Sequence, residues 1–150
     1  MSGLAALLAG HNKPDLYQWH NASHVLDVSH AVEHAGWKFV YLDGWTVEDK
    51  PSFLKATAAA FEFPDHFGEN FDALSDSLGD VDAGDHEGVV LLWDGWAPFA
   101  RADAQAFSVA LSCLGGRVNA DRGGRFAVLL RGEGPPIDAP ELPAAHPPTS

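Results

Sequence analysis

The sequence predicts an α/β fold, a small three-stranded parallel sheet flanked by helices, and three observations carry that reading. Three short runs of aliphatic and aromatic residues, 37–42 (WKFVYL), 89–93 (VVLLW) and 126–130 (FAVLL), read as strands. The last two are almost continuously apolar, the pattern of a strand buried on both faces, as in a parallel sheet. Between them apolar residues recur at helical spacing, and strands that alternate with helices are joined by crossovers between parallel neighbours.

The elements follow in order. The chain opens MSGLAALLAG, apolar but short and without a positive n-region, so it makes a poor secretory signal. A short strand is expected over 16–19. A helix follows, capped by Ser23, with Val25, Val28, Val32 and Ala35 on its apolar face. Residues 1–36 therefore read as an N-terminal extension that packs on the domain and adds a strand and a helix. After the 37–42 strand, residues 51–61 bring Phe53, Ala56, Ala60 and Phe61 near one helix face, with Pro51 in the first turn. Residues 70–78 place Phe71, Leu74 and Leu78 on one face behind Asn70 as N-cap. Residues 103–118 align Phe107, Leu111, Leu114 and Val118, although Gly115 and Gly116 each cost a helix ~1 kcal/mol relative to Ala. From Gly132 the chain carries six of its ten prolines in 19 residues, so 132–150 is expected to be an extended, flexible tail. The domain proper is 37–131.

Charge is distributed unevenly. The chain has 21 acids and 9 bases, a net charge of −12. Residues 56–100 hold ten carboxylates and no Lys or Arg, so this stretch supplies −10 of the total. Concentrated charge of one sign either steers a cationic partner or forms a solvated surface that only aids solubility, and charge alone does not choose between them. The same balance excludes nucleic-acid binding, which needs a basic patch, and no apolar run reaches the ~20 residues of a membrane span. The single cysteine, Cys113, forms no intrachain disulfide and sits in an apolar helical pattern, as a core residue would. The protein is expected to be cytoplasmic.

The most specific stretch is Phe63-Pro64-Asp65-His66-Phe67-Gly68-Glu69-Asn70-Phe71-Asp72-Ala73-Leu74-Ser75-Asp76-Ser77-Leu78. On a helix starting at Asn70, Asp72 and Asp76 are four apart and share a face, while Phe71, Leu74 and Leu78 anchor another. Asp72 is favoured by the helix N-terminus. Asp76 lies beyond the first turn and gains little, a local defect of the kind found at functional sites. Gly68 permits a backbone conformation closed to other residues, so that His66 and Phe67 project beside the acidic face. Two rigidly spaced carboxylates imitate a phosphodiester, which a basic RNA-binding pocket would accept.

This run resembles the barstar family of intracellular ribonuclease inhibitors, across residues 37–131. The resemblance implies a three-stranded parallel sheet with helices around it, no enzymatic activity, no cofactor or metal, and a basic microbial ribonuclease or related toxin as partner. It further implies that Asp76 enters the phosphate-binding pocket, Asp72 meets active-site Arg or Lys, His66 packs on the catalytic histidine, and Phe67, Gly68, Asn70 and Ser75 complete the partner surface. His66 replaces the usual Tyr, Ser75 replaces a common Trp, and a further acid of the family, late in the long helix, has no clear counterpart around Arg117–Asp121. An immunity or regulatory module for another cationic protein is the alternative on the same fold.

A third reading is a zinc-dependent hydrolase. His30-Ala31-Val32-Glu33-His34 matches H-x-x-E-H, in which two His at i, i+4 chelate zinc and Glu acts as base. A five-residue match is cheap in a chain with eight His, and no third ligand is identifiable. The Asp80-Val81-Asp82-Ala83-Gly84-Asp85 loop is no EF-hand, since Leu91 falls where the bidentate Glu belongs. Neither a phosphate loop nor a Gly-x-Ser-x-Gly elbow is present.

Overall fold

The computed structural model describes residues 3–64, 70–120 and 123–142. The elements run α1 (Gly3–Leu8), β1 (Leu16–Gln18), α2 (Val25–His34), β2 (Lys38–Asp43), α3 (Lys50–Phe61), α4 (Phe71–Gly79), β3 (Gly88–Asp94), α5 (Ala97–Ala102), α6 (Ala104–Val118) and β4 (Arg125–Arg131). All strand pairs are parallel, in the order β1-β4-β3-β2. The expected α/β class and parallel sheet hold, with four strands rather than three. The added strand is β1, which pairs Leu16, Tyr17 and Gln18 with Val128, Leu129 and Leu130.

Side-chain alternation sorts the sheet into two cores. Val89, Leu91, Trp93, Phe126, Val128 and Leu130 face α3, α4, α5 and α6. Val90, Leu92, Ala127 and Leu129 face Leu4 and Leu7 of α1 and Val28 and Val32 of α2. Strands β3 and β4 are thus buried on both sides, as their continuous apolar runs require. Edge strand β2 alternates instead. Leu4, Leu7, Val28 and Val32 cover the second of these faces together with Trp37 and Leu142.

Several local expectations are corrected. Helix α2 is capped by His24, whose Nδ1 accepts from the Leu26 amide, and not by Ser23. The Ser23 carbonyl instead accepts from Arg131. Asp103 caps α6, accepting from the Ala106 amide, and the turn before it is a separate short helix, α5. Helix α6 runs through Gly115 and Gly116, because Phe107, Ala110 and Leu114 bury its other face. The tail does not leave the domain at Gly132. Gln18 donates from its amide to the Pro140 carbonyl and accepts from the Leu142 amide, both at 2.8 Å. Leu142 is buried, and Ile137 and Ala139 pack on the larger core. A proline-rich segment needs few apolar anchors when a sheet edge supplies its backbone partners. Among the described residues, no helix is long and apolar enough to cross a membrane.

Candidate functional site

Helix α4 holds the motif that the sequence singles out. Asn70 is extended at φ −147° and its side-chain oxygen accepts from the Ala73 amide at 2.7 Å, which fixes where the helix begins. Leu74 and Leu78 are buried, and the Phe71 ring lies 6.4 Å from that of Phe53 in α3. This apolar seam sets the rotation of α4, and the rotation turns Asp72, Ser75 and Asp76 to solvent. Asp80, four residues beyond Asp76, is the C-cap and is exposed, so the ridge reads Asp72, Asp76, Asp80. Among the described residues, none of these three carboxylates has an ion pair or hydrogen-bond partner. By contrast, Asp94 of the same acidic stretch is buried against Arg131, and Glu87 pairs with Arg125 at 2.9 Å.

A cleft of about 560 Å³ opens beside the ridge, between α4 and the segment that follows α3. Its walls are Phe61, Phe63, Pro64 and Val81, and its rim carries Glu62, Asp76, Asp80, Asp82 and one base, Lys38. The Phe61 and Phe63 rings stack at 5.5 Å, and Glu62 between them adopts φ 56°, the left-handed region unusual for a side-chain-bearing residue. Buried Arg117 of α6 holds the exit of α4 in place. It donates to the carbonyls of Val81 and Gly123 at 2.9 and 3.1 Å and lies 4.8 Å over the Phe126 ring.

Of the partner-surface residues expected from sequence, Asn70, Asp72, Ser75 and Asp76 come together on α4, with Asn70 as the cap. His66, Phe67 and Gly68 lie outside the described residues. Ser75 is exposed at the edge of α6, and its hydroxyl donates to the Cys113 sulfur at 3.2 Å. Cys113 is therefore a half-buried member of the α4–α6 seam and not a fully buried core residue. Helix α6 contains no carboxylate at all, so the late-helix acid of the family has no equivalent there.

The H-x-x-E-H residues sit on the exposed face of α2, where Glu33 accepts from Ser29 at 2.8 Å. Among the described residues, no three of His, Cys, Asp and Glu converge as a metal set.

A comparison with family models decides the relationship: residues 37–131, well over half of the chain, match the model described as Barstar (barnase inhibitor). The chain belongs to the barstar family. No curated protein matches it. The matched span begins at Trp37, just ahead of β2, and ends with β4, so α1, β1 and α2 lie outside it.

Sequence reasoning missed a polar cluster at the C-terminal end of the sheet. Arg131 donates to both Asp94 oxygens, from Nε at 3.0 Å and Nη2 at 2.9 Å, and the Tyr41 hydroxyl donates to Asp94 Oδ2 at 3.2 Å. The third donor nitrogen of Arg131, Nη1, reaches the Ser23 carbonyl at 2.7 Å, and the guanidinium lies 5.6 Å from the Trp19 ring. Burial and the negative charge of Asp94 push the Tyr41 phenol up to about 12. The available signal was that the apolar runs of β3 and β4 end in opposite charges, at residues that stand in register.

Proposed function

We propose that this protein inhibits a basic ribonuclease or ribonuclease-type toxin by placing the acidic face of α4 in its phosphate-binding site. The observation that carries the reading is the ridge Asp72, Asp76, Asp80, unpaired among the described residues, on a helix whose apolar face is locked to the core, within a domain of the barstar family. Asp76 is the candidate for the phosphate pocket and Asp72 for a neighbouring Arg or Lys. Asn70 fixes the helix start, Ser75 lies beside them, and His66, Phe67 and Gly68 are the candidate loop contacts. The carboxylates are solvated in the free protein. They exchange water for cationic groups on binding, so complementarity acts through both steering and desolvation. The protein performs no chemistry in this reading, and a cytoplasmic location would let it protect the cell that makes the nuclease.

A second reading keeps the fold and changes the partner, to another cationic protein. Two observations favour it. Ser75 offers a hydroxyl already engaged by Cys113 where family inhibitors carry a large ring, and α6 offers no carboxylate.

The test is titration of barnase activity with the purified chain. Stoichiometric loss of RNA cleavage, with an association rate that falls steeply as salt rises, is the expected result. Undiminished cleavage at excess protein would refute barnase-type inhibition and leave the second reading.

A further inference from the structure

Four of the five tryptophans are buried, and Trp45 is 53% exposed. Its position is built with care. Asp43, Asp94 and Arg131 stand in register across β2, β3 and β4, and each is followed by glycine: Gly44, Gly95 and Gly132. The row continues the ladder, with Gly44 donating to the Asp94 carbonyl at 2.7 Å and Gly95 to the Arg131 carbonyl at 2.8 Å. The Trp45 indole lies over this row. A Cβ on Gly95 would fall 2.4–2.8 Å from three atoms of the ring, and one on Gly132 would fall 3.4 Å from its far edge. Gly95 and Gly132 also have φ of +74° and +128°, so side chains are excluded on two grounds. The turn beneath the ring is fixed as well. The Trp45 amide donates to Asp43 Oδ1 at 3.2 Å and the Val47 amide to the Gly44 carbonyl at 3.1 Å.

One face of the indole is thus seated on backbone, and the other is held open to water. Residues 43–50 carry three carboxylates, Asp43, Glu48 and Asp49, against one base. That base, Lys50, is directed away, its ammonium 4.9 Å over the Phe71 ring. Asp49 keeps its charge, because its hydrogen bond from Ser52 at the α3 N-terminus holds its carboxyl below the usual range.

We infer that the outward face of Trp45 is a second anchor for the same partner, receiving an arginine or lysine side chain by cation–π contact. The inference rests on the reading of the protein as a binder of a basic protein. Indole is the best such acceptor, a preformed ring loses little rotamer freedom on binding, and surrounding carboxylates favour a cation over an apolar side chain.

The experiment uses the full chain carrying fluorotryptophan, with catalytically inactive barnase as the probe, read by fluorine NMR and by dissociation constants. On binding, the Trp45 resonance shifts while the four buried ones hold. Trp45→Leu weakens binding roughly tenfold, and Trp45→Phe retains part of the affinity. Equal losses for Leu and Phe would make the contact apolar and overturn the assignment of a cation. A Trp45 signal that stays put in a complex abolished by Asp76→Ala would overturn the anchor while sparing the proposed function. No complex with the parent chain would overturn both. The resonance is read on the parent protein, so the test stands even if Trp45→Leu lowers the melting temperature.

Discussion

Arg131 meets Asp94 through two hydrogen bonds, one to each carboxylate oxygen, at the point where two central strands end side by side. The side chains are only 12% and 9% exposed. The fork geometry and the further bonds to Tyr41 and Ser23 leave neither charge short of partners. Through Ser23 and Trp19 the same guanidinium ties the loop before α2 to the sheet, which couples the N-terminal layer to the matched span.

Removing one partner of such a pair leaves an uncompensated buried charge. Asp94→Ala is therefore expected to destabilise the fold by about 3–5 kcal/mol, and Arg131→Met by a similar amount. The double variant Asp94→Leu, Arg131→Met should recover much of the loss, because no charge remains buried. Chemical denaturation of the three variants measures this. A double variant as unstable as the sum of the singles would contradict it.

Alkaline pH reads the same cluster. An unfolded chain gives up a tyrosine proton near pH ~10, whereas folded Tyr41 holds its proton to about 12. Between those values the folded state binds more protons than the unfolded one. The stabilisation present below pH ~10 is therefore lost as the pH climbs towards 12. Tyr17, the only other tyrosine, is also raised, by burial and by the charge of Asp15. Ultraviolet titration of the folded protein should show little phenolate at pH ~10. Tyr41→Phe should flatten the fall of stability above that pH without removing the contribution of Tyr17. Phenolate appearing at the ordinary value would mean that Tyr41 does not donate to Asp94.

Helix α6 offers a stabilising change. Gly116 is exposed, lies in the last turn of the helix with helical backbone, and has open space where a Cβ would stand. Gly116→Ala should raise stability by ~0.5–1 kcal/mol, through backbone entropy alone, and raise the melting temperature by a few degrees. A thermal scan checks it, and a lower melting temperature would reveal a contact or strain at that position.

The sequence read well where one physical demand dominated. The runs at 89–93 and 126–130 admit little but doubly buried strands, and they became the centre of the sheet. Leu74 and Leu78, spaced behind Asn70, fixed α4 and with it the exposure of Asp72 and Asp76. What escaped depends on partners distant in sequence. The short strand expected over 16–19 is present as β1, but its place beside β4, with Tyr17 next to Leu129, could not be read from three residues. Gln18 and Leu142 hold each other across more than a hundred residues, which no composition rule for a proline-rich tail reveals. The cap at His24 in place of Ser23 goes with a bond from Arg131 to the Ser23 carbonyl, a partner more than a hundred residues away. The seat of Trp45 is hidden from the sequence because it is a row of glycines at the ends of three strands, and glycines leave no apolar signature.

The sharpest test of the site concerns Asp76. In the free protein its carboxylate is exposed and unpaired among the described residues, four positions from Asp72 and four from Asp80. Asp76→Ala should therefore leave the fold intact or slightly more stable, since it relieves like-charge repulsion of a few tenths of a kcal/mol in each direction along the helix. In a complex the same carboxylate would be desolvated among the partner's cationic groups, and truncating it would strand those charges. Such losses run to ~2–5 kcal/mol or more, mostly in the off-rate, a magnitude that comes from barstar–barnase complexes themselves and is carried over with the family. At ~4 kcal/mol the inhibition constant weakens about a thousandfold. Asp72→Ala should cost less. Asp27→Ala should cost nothing measurable, because Asp27 lies on α2, across the sheet from α4. Inhibitor titrations paired with thermal melts separate binding from folding for each variant. If Asp76→Ala inhibits like the parent while its melting temperature is unchanged, the acidic ridge of α4 is not the surface that meets the nuclease.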